Sequence, residues 1–224
     1  MQIFCIIKMM KKKSKIRFVT KKNLEENFLE KKIFSALCAI FFSDTVYNFS
    51  EDELKNNFIF WPDGLSAKLV NSKLQSEPGR YMLLKLIEIC KKRNLKITFA
   101  GSDIDFSNSI FKNLNYNFIE LPFCDHKALS KKILADNLGD ILILCISSPK
   151  QELTASTLLD NANVPIYCFG AAVFMLTGSE VIAPKFMEKL RLEGLWRIMT
   201  GDTKRRLGHL KRFPKGYKIF SRFT

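Results

Sequence analysis

Large apolar residues in this chain come in short blocks that stop at turn-forming residues. The block Ile141-Leu142-Ile143-Leu144-Cys145-Ile146 lies between Gly139-Asp140 and Ser147-Ser148-Pro149. An uninterrupted run of this length predicts a strand covered on both faces, the usual state in a parallel sheet. Phe58-Ile59-Phe60-Trp61 stops at Pro62-Asp63-Gly64, Lys96 to Ala100 stops at Gly101-Ser102-Asp103, and Pro165 to Phe169 stops at Gly170. Each reads as a strand ending in a tight turn. Between the blocks, apolar positions 83, 84, 86, 87 and 89 predict an amphipathic helix over 79–92, and further helices are expected over 23–32, 128–138 and 151–161. Residues 33–42 read as either a strand or a buried helix, followed by the polar turn Ser43-Asp44-Thr45.

Strand, loop, helix, strand is the repeating order. It predicts an α/β fold, Rossmann-like, with a mainly parallel sheet and helices on both faces. Beyond Pro184 the pattern becomes helical and basic, with a strand signal only at Tyr217 to Phe220. The expected division is a basic N-terminal segment (1–22), an α/β catalytic core (23–184) and a basic C-terminal helical appendage (185–224).

With 224 residues, 47% of them hydrophobic and 20 of them Phe, the chain has the apolar material for one substantial core. The net charge of +14 is unevenly placed: residues 1–22 carry +8 and residues 185–224 carry +9, which leaves −3 for the middle. Such basic ends suit phosphate-rich partners, whether nucleic acid, an anionic bilayer or a diphosphate substrate. Solvated tails that aid solubility are the plainer explanation.

The six cysteines, at 5, 38, 90, 124, 145 and 168, form no Cys-x-x-Cys pair, so neither a zinc cage nor a disulfide framework is indicated. Cys90, Cys145 and Cys168 sit in apolar runs and read as core residues of a protein in a reducing, cytoplasmic setting. His126 and His209 are isolated, and no metal site is expected. No apolar run approaches the roughly 20 residues of a spanning helix, so any membrane contact is expected to be peripheral.

In open α/β sheets ligands collect at the carboxyl edge, because the loops leaving the strands line a crevice there. The strand-end turns put Asp63, Lys150, Gln151 and Glu152 at that edge. For Asp63 the alternatives are a general base and a turn aspartate bonding its own backbone; for Glu152 they are a ligand contact and a carboxylate favoured at a helix start. In the tail, Leu190, Leu192, Leu195, Trp196 and Met199 alternate with Arg191 and Arg197, followed by Lys204, Arg205 and Arg206. This stripe fits an interfacial helix or an ordinary core-packing face.

Taken together, Asp63-Gly64 after an apolar strand, Gly79-Arg80 opening a helix, Ser148-Pro149-Lys150-Gln151-Glu152, Gly170 to Gly178, Ala183-Pro184, Leu192-Glu193, Arg197 and Arg205-Arg206 resemble the bacterial WecG/TagA/CpsF glycosyltransferase family over about residues 60–212. The chain departs from that family's pattern at Ser147, where the family has Gly, at Ile182, where it has Arg, and at Gly194, where it has Trp. The family's Thr-x-Asn motif has no clean counterpart, and Ser43, Asp44 and Thr45 are the nearest polar residues.

The resemblance implies a metal-independent, inverting hexosyltransferase without a cofactor. It would move an N-acetylmannosamine-type sugar from a UDP-sugar donor to a polyprenyl-diphosphate-linked N-acetylglucosamine acceptor in cell-surface polysaccharide biosynthesis. It would work in the cytoplasm, peripherally on the inner face of the cell membrane, with an anionic membrane surface as partner. Asp63 is then the catalytic base; Gly64, Gly101, Pro149, Lys150, Gln151, Glu152 and Gly170 bind the donor; Arg197, Arg205 and Arg206 meet diphosphate or lipid headgroups. Arg205 and Arg206, as neighbours, cannot share one helical face. Transfer of another sugar such as glucuronic acid from UDP-glucuronic acid is a second reading within the family. A non-enzymatic, basic nucleic-acid-binding protein is the reading from another class, though no recognition motif supports it and nucleic acid is not the expected partner.

Overall fold

The computed structural model describes residues 15–64, 69–107, 109–189, 196 and 203–222. Among these the chain forms one sheet of seven strands: β1 (Arg17–Phe18), β2 (Ile33–Leu37), β3 (Phe58–Pro62), β4 (Ile97–Gly101), β5 (Tyr116–Glu120), β6 (Ile141–Cys145) and β7 (Ile166–Cys168). They lie in the order β1-β3-β2-β7-β6-β4-β5, and every neighbouring pair is parallel. All carboxyl ends therefore share one edge. The helices are α1 (Leu24–Asn27), α2 (Glu51–Asn57), α3 (Gly79–Arg93), α4 (His126–Leu134), α5 (Lys150–Leu158), α6 (Ala171–Thr177), α7 (Lys185–Lys189) and α8 (Thr203–Phe220).

Alternation along the strands divides the core in two. Ile59 and Trp61 of β3, with Ile141, Ile143 and Cys145 of β6, face Met82, Leu83, Leu86 and Cys90 of α3 and Val173 of α6. Phe58 and Phe60, with Leu142 and Leu144, face the other way, onto Leu129 and Ile133 of α4, Ala155 and Leu158 of α5, and Phe220 of α8. Both faces of β3 and β6 are buried, which is why their sequences are apolar throughout rather than alternating. The expected α/β sheet with helices on both faces is the fold.

Some expected elements differ. The helix over 23–32 shortens to α1, four residues, after which Arg17 ties Glu30 back to β1 with a hydrogen bond of 2.6 Å to Oε1. Residues 33–42 are part strand and part helix: Ile33 to Leu37 pair with β3, and Phe41–Thr45 form a π-helical turn. Tyr217 to Phe220 are not a strand but the last turn of α8. The edge strand β5 lacked an apolar signal because only Ile119 within it is buried.

The π-helical turn is held from above by α8. Phe220 is fully buried, with its ring 5.9 Å from Phe41, 5.4 Å from Phe42 and 5.8 Å from Phe60. Aromatic edge contacts of this kind each add about 1 kcal/mol beyond area burial. Gly216 lets α8 touch the turn, since a Cβ there would stand 1.6 Å from the Phe42 carbonyl oxygen. No helix among the described residues is long and apolar enough to cross a membrane.

Candidate active site

The polar groups of the carboxyl edge gather where β2, β3, β7 and β6 end. Asp63 follows β3 directly, and its N–H donates to the Leu37 carbonyl at 3.2 Å, which seats it beside the end of β2. Gly64 takes a φ of +70° and donates its N–H to Ser76 Oγ at 2.8 Å. The chain then returns along the same end, with Glu77 N–H donating to the Pro62 carbonyl at 2.6 Å. Arg80, in the first turn of α3, is buried, and its guanidinium lies 4.6 Å from the ring of Tyr81.

After β6 the chain turns through a cis Ser148-Pro149 peptide into α5. The first turn of α5 points Gln151 and Glu152 inward, where they are 6% and 2% exposed. Glu152 Oε1 accepts from Ser148 Oγ at 2.9 Å, from Gln151 Nε2 at 2.9 Å and from Ser35 Oγ of β2 at 3.0 Å. Among the described residues, Glu152 Oε2 and Gln151 Oε1 are buried with no hydrogen-bond partner. Each such orphan costs about 1–3 kcal/mol, so the cluster is not explained by stability alone. Burial pushes the Glu152 carboxyl above its ordinary range, against the pull of hydrogen bonds from Ser148, Gln151 and Ser35.

Cys38 connects the two halves of the edge. Its thiol is pushed up to about 12, chiefly by burial, then by the Asp63 carboxylate and, more weakly, by Glu152. Asp63 and Glu152 thus bear on one sulfur. Cys168 at the end of β7 is raised by burial and again by Glu152. Gly170 follows with φ +48°, and a Cβ on it would stand 3.1 Å from the Ile146 carbonyl oxygen and 3.3 Å from Gln151 Oε1.

Not every candidate joins this cluster. Lys150 leans toward the β5 side, where its ammonium donates to the Cys124 carbonyl at 2.9 Å and lies 4.4 Å from the ring of Phe123. Gly101 is pressed against Cys145, since a Cβ there would meet the Cys145 Cβ at 2.8 Å; strand packing accounts for that glycine. Pro149 caps α5. Arg205 and Arg206 lie in α8, and Arg197 lies outside the described residues. Ser35 and Cys38 were not singled out in the sequence, because a serine or cysteine inside an apolar block reads as core. A cavity of about 460 Å³ sits elsewhere, at the β1 edge between Ile16, Phe18 and Asn71. Among the described residues no three His, Cys, Asp or Glu side chains come together as a metal site would need.

Parallel α/β architecture with carboxylates grouped at the strand ends is a frame for binding and transferring a ligand at that edge. The family model for glycosyl transferases of the WecG/TagA/CpsF family matches residues 52–213, and the chain belongs to that family. The match spans Asp63, the loop into α5, Gly170 and the positions of Arg197, Arg205 and Arg206. Comparison with curated proteins gives no match.

Proposed function

We propose that the protein is an inverting glycosyltransferase that moves a sugar of the N-acetylmannosamine type from a UDP-sugar to a polyprenyl-diphosphate-linked N-acetylglucosamine. The observation that carries this reading is the family match over residues 52–213, with Asp63 after β3 and the buried Gln151-Glu152 cluster bonded to Ser35 both at the carboxyl edge of the sheet.

In the proposed reaction Asp63 takes the proton from the acceptor hydroxyl as that oxygen attacks the anomeric carbon, and the bond to UDP breaks on the opposite face. An unperturbed aspartate, with a pKa of about 3.9, is a weak base. Closure of the crevice over the donor would desolvate Asp63 and strengthen it. The departing diphosphate gains one negative charge, matching the proton passed to Asp63, and needs positive partners. Arg197 and one of Arg205 and Arg206 suit this, since a guanidinium forks onto two oxygens, and the other of the adjacent pair would meet lipid headgroups. Lys150 would add a point charge at the rim. Gln151, Glu152, Gly170 and Gly64 would hold the donor, with Gly101 and Pro149 shaping the loops behind it.

The chain divides in this reading into a basic segment (1–22), a catalytic core (23–184) and a basic appendage (185–224) that meets an anionic membrane surface. Salt-sensitive binding to anionic vesicles, with weak binding to single-stranded oligonucleotides, supports that division of labour; the opposite ranking would support nucleic-acid binding. The deciding experiment incubates the protein with a lipid-diphosphate N-acetylglucosamine acceptor and a panel of UDP-sugars. Gain of one sugar mass on the acceptor is expected with UDP-N-acetylmannosamine. No gain with any donor overturns the proposal, and gain with UDP-glucuronic acid alone reassigns the sugar.

A further inference from the structure

Ser35 is fully buried in the middle of β2, on the face it shares with Ile33 and Leu37 and that α5 covers. An apolar residue is the ordinary occupant of such a position, because a buried hydroxyl needs an acceptor. Ser35 finds one 117 residues away, in Glu152 Oε1.

That oxygen organises the cluster. A carboxylate oxygen only accepts, so Gln151 must turn its amide nitrogen toward it, and Nε2 donates at 2.9 Å both to Glu152 Oε1 and to Ser148 Oγ. The orientation of the amide is therefore fixed by chemistry. Its oxygen is forced to the other side, toward Gly170, where the missing Cβ leaves room and no group among the described residues bonds it.

We infer that Ser35 is a positioning residue of the donor site: through Glu152 it sets the Gln151 amide so that Gln151 Oε1 accepts a hydrogen bond from an O–H or N–H group of the sugar nucleotide. The inference rests on the glycosyltransferase reading above. Ser35 lies outside the span matched by the family model, so family membership assigns it no part. Without the Ser35 hydroxyl, Glu152 Oε1 keeps only the donors of its own loop, Ser148 and Gln151, so the carboxylate loses its tie to β2 and can shift, carrying the Gln151 amide away from the ligand. Binding suffers before chemistry does, because the contact is the same in the ground and transition states.

The test titrates wild type, Ser35→Ala and Ser35→Thr with UDP and with UDP-N-acetylmannosamine, and measures turnover of each. Ser35→Ala should weaken at least one ligand about tenfold, with kcat within about twofold. Ser35→Thr, which keeps the hydroxyl, should recover most of the affinity. Loss toward UDP places the bonded group on the nucleotide, and loss toward the UDP-sugar alone places it on the sugar. In a Gln151→Leu background, which has no amide to orient, Ser35→Ala should change affinity by less than about twofold. Equal weakening with and without Gln151 overturns the inference, as does unchanged binding by Ser35→Ala in a protein whose wild type binds. A wild type that binds neither ligand overturns the glycosyltransferase reading and the inference with it.

Discussion

Asp44 and Arg212 are joined across 168 positions of sequence: Nε, at 2.9 Å, and Nη2, at 2.7 Å, both donate to Asp44 Oδ1. The pair ties α8 to the π-helical turn beside β2. The arginine side chain is 53% exposed, so water and salt screen the attraction and Asp44→Ala should lower stability by less than about 1 kcal/mol in urea unfolding. The tighter constraint is Gly216 against the Phe42 carbonyl. Gly216→Ala should cost about 3 kcal/mol and strip hydrogen-exchange protection from α8. Undiminished protection would mean that α8 is held in some other way.

Asp63 is half-buried, with its backbone N–H bonded to Leu37, so Asp63→Asn changes charge while keeping shape. Turnover should fall by at least about a hundredfold, as removal of a general base does, with UDP-sugar affinity kept within a few fold. Turnover at the wild-type rate would exclude Asp63 from the reaction.

Glu152 makes stability depend on pH in a definite direction. Its carboxyl is raised above 4.5 in the folded protein by burial. Below 4.5 both folded and unfolded chains hold the proton and the group is neutral in its effect. As pH rises from 4.5 toward the folded value, the unfolded chain ionises first, so stability falls across that window and then levels off. Glu152→Gln removes the ionisation while keeping an acceptor for Ser35 and Ser148. The variant should therefore gain on wild type in thermal midpoint as pH rises above 4.5, and the gain should vanish below it. A difference independent of pH would show that burial does not raise the Glu152 carboxyl in the folded protein.

Much of this was legible in the chain. The runs at 58–61 and 141–146 are apolar on every residue because helices cover both sheet faces, and their terminal turns marked Asp63 and the loop into α5 directly. What escaped notice was set by contacts far apart in sequence. The strand of 33–37 and the helical turn of 41–45 share one apolar block, since Phe41 and Phe42 are buried by α8 rather than by the sheet. Ser35 looked like core and is core by burial, yet its hydroxyl belongs to the Glu152 cluster. Lys150 sat in the right motif, and only the fold shows its ammonium drawn to the Cys124 carbonyl.

Two glycines that bracket α6 separate backbone strain from site geometry. Gly170 and Gly178 both have positive φ, +48° and +84°, which an L side chain resists. A Cβ on Gly178 meets nothing within 4 Å, whereas one on Gly170 meets Gln151 Oε1 at 3.3 Å and the Ile146 carbonyl oxygen at 3.1 Å. Gly178→Ala should thus lose about 1 kcal/mol of stability from strain alone, with UDP affinity unchanged. Gly170→Ala should lose about 2–3 kcal/mol, because strain and crowding add. It should also weaken UDP binding, since the amide of Gln151 must give way and turn from the position that Glu152 fixes. Urea unfolding and UDP titration on the two variants check both halves, and equal UDP affinity in Gly170→Ala and wild type would place the nucleotide away from this end of β7.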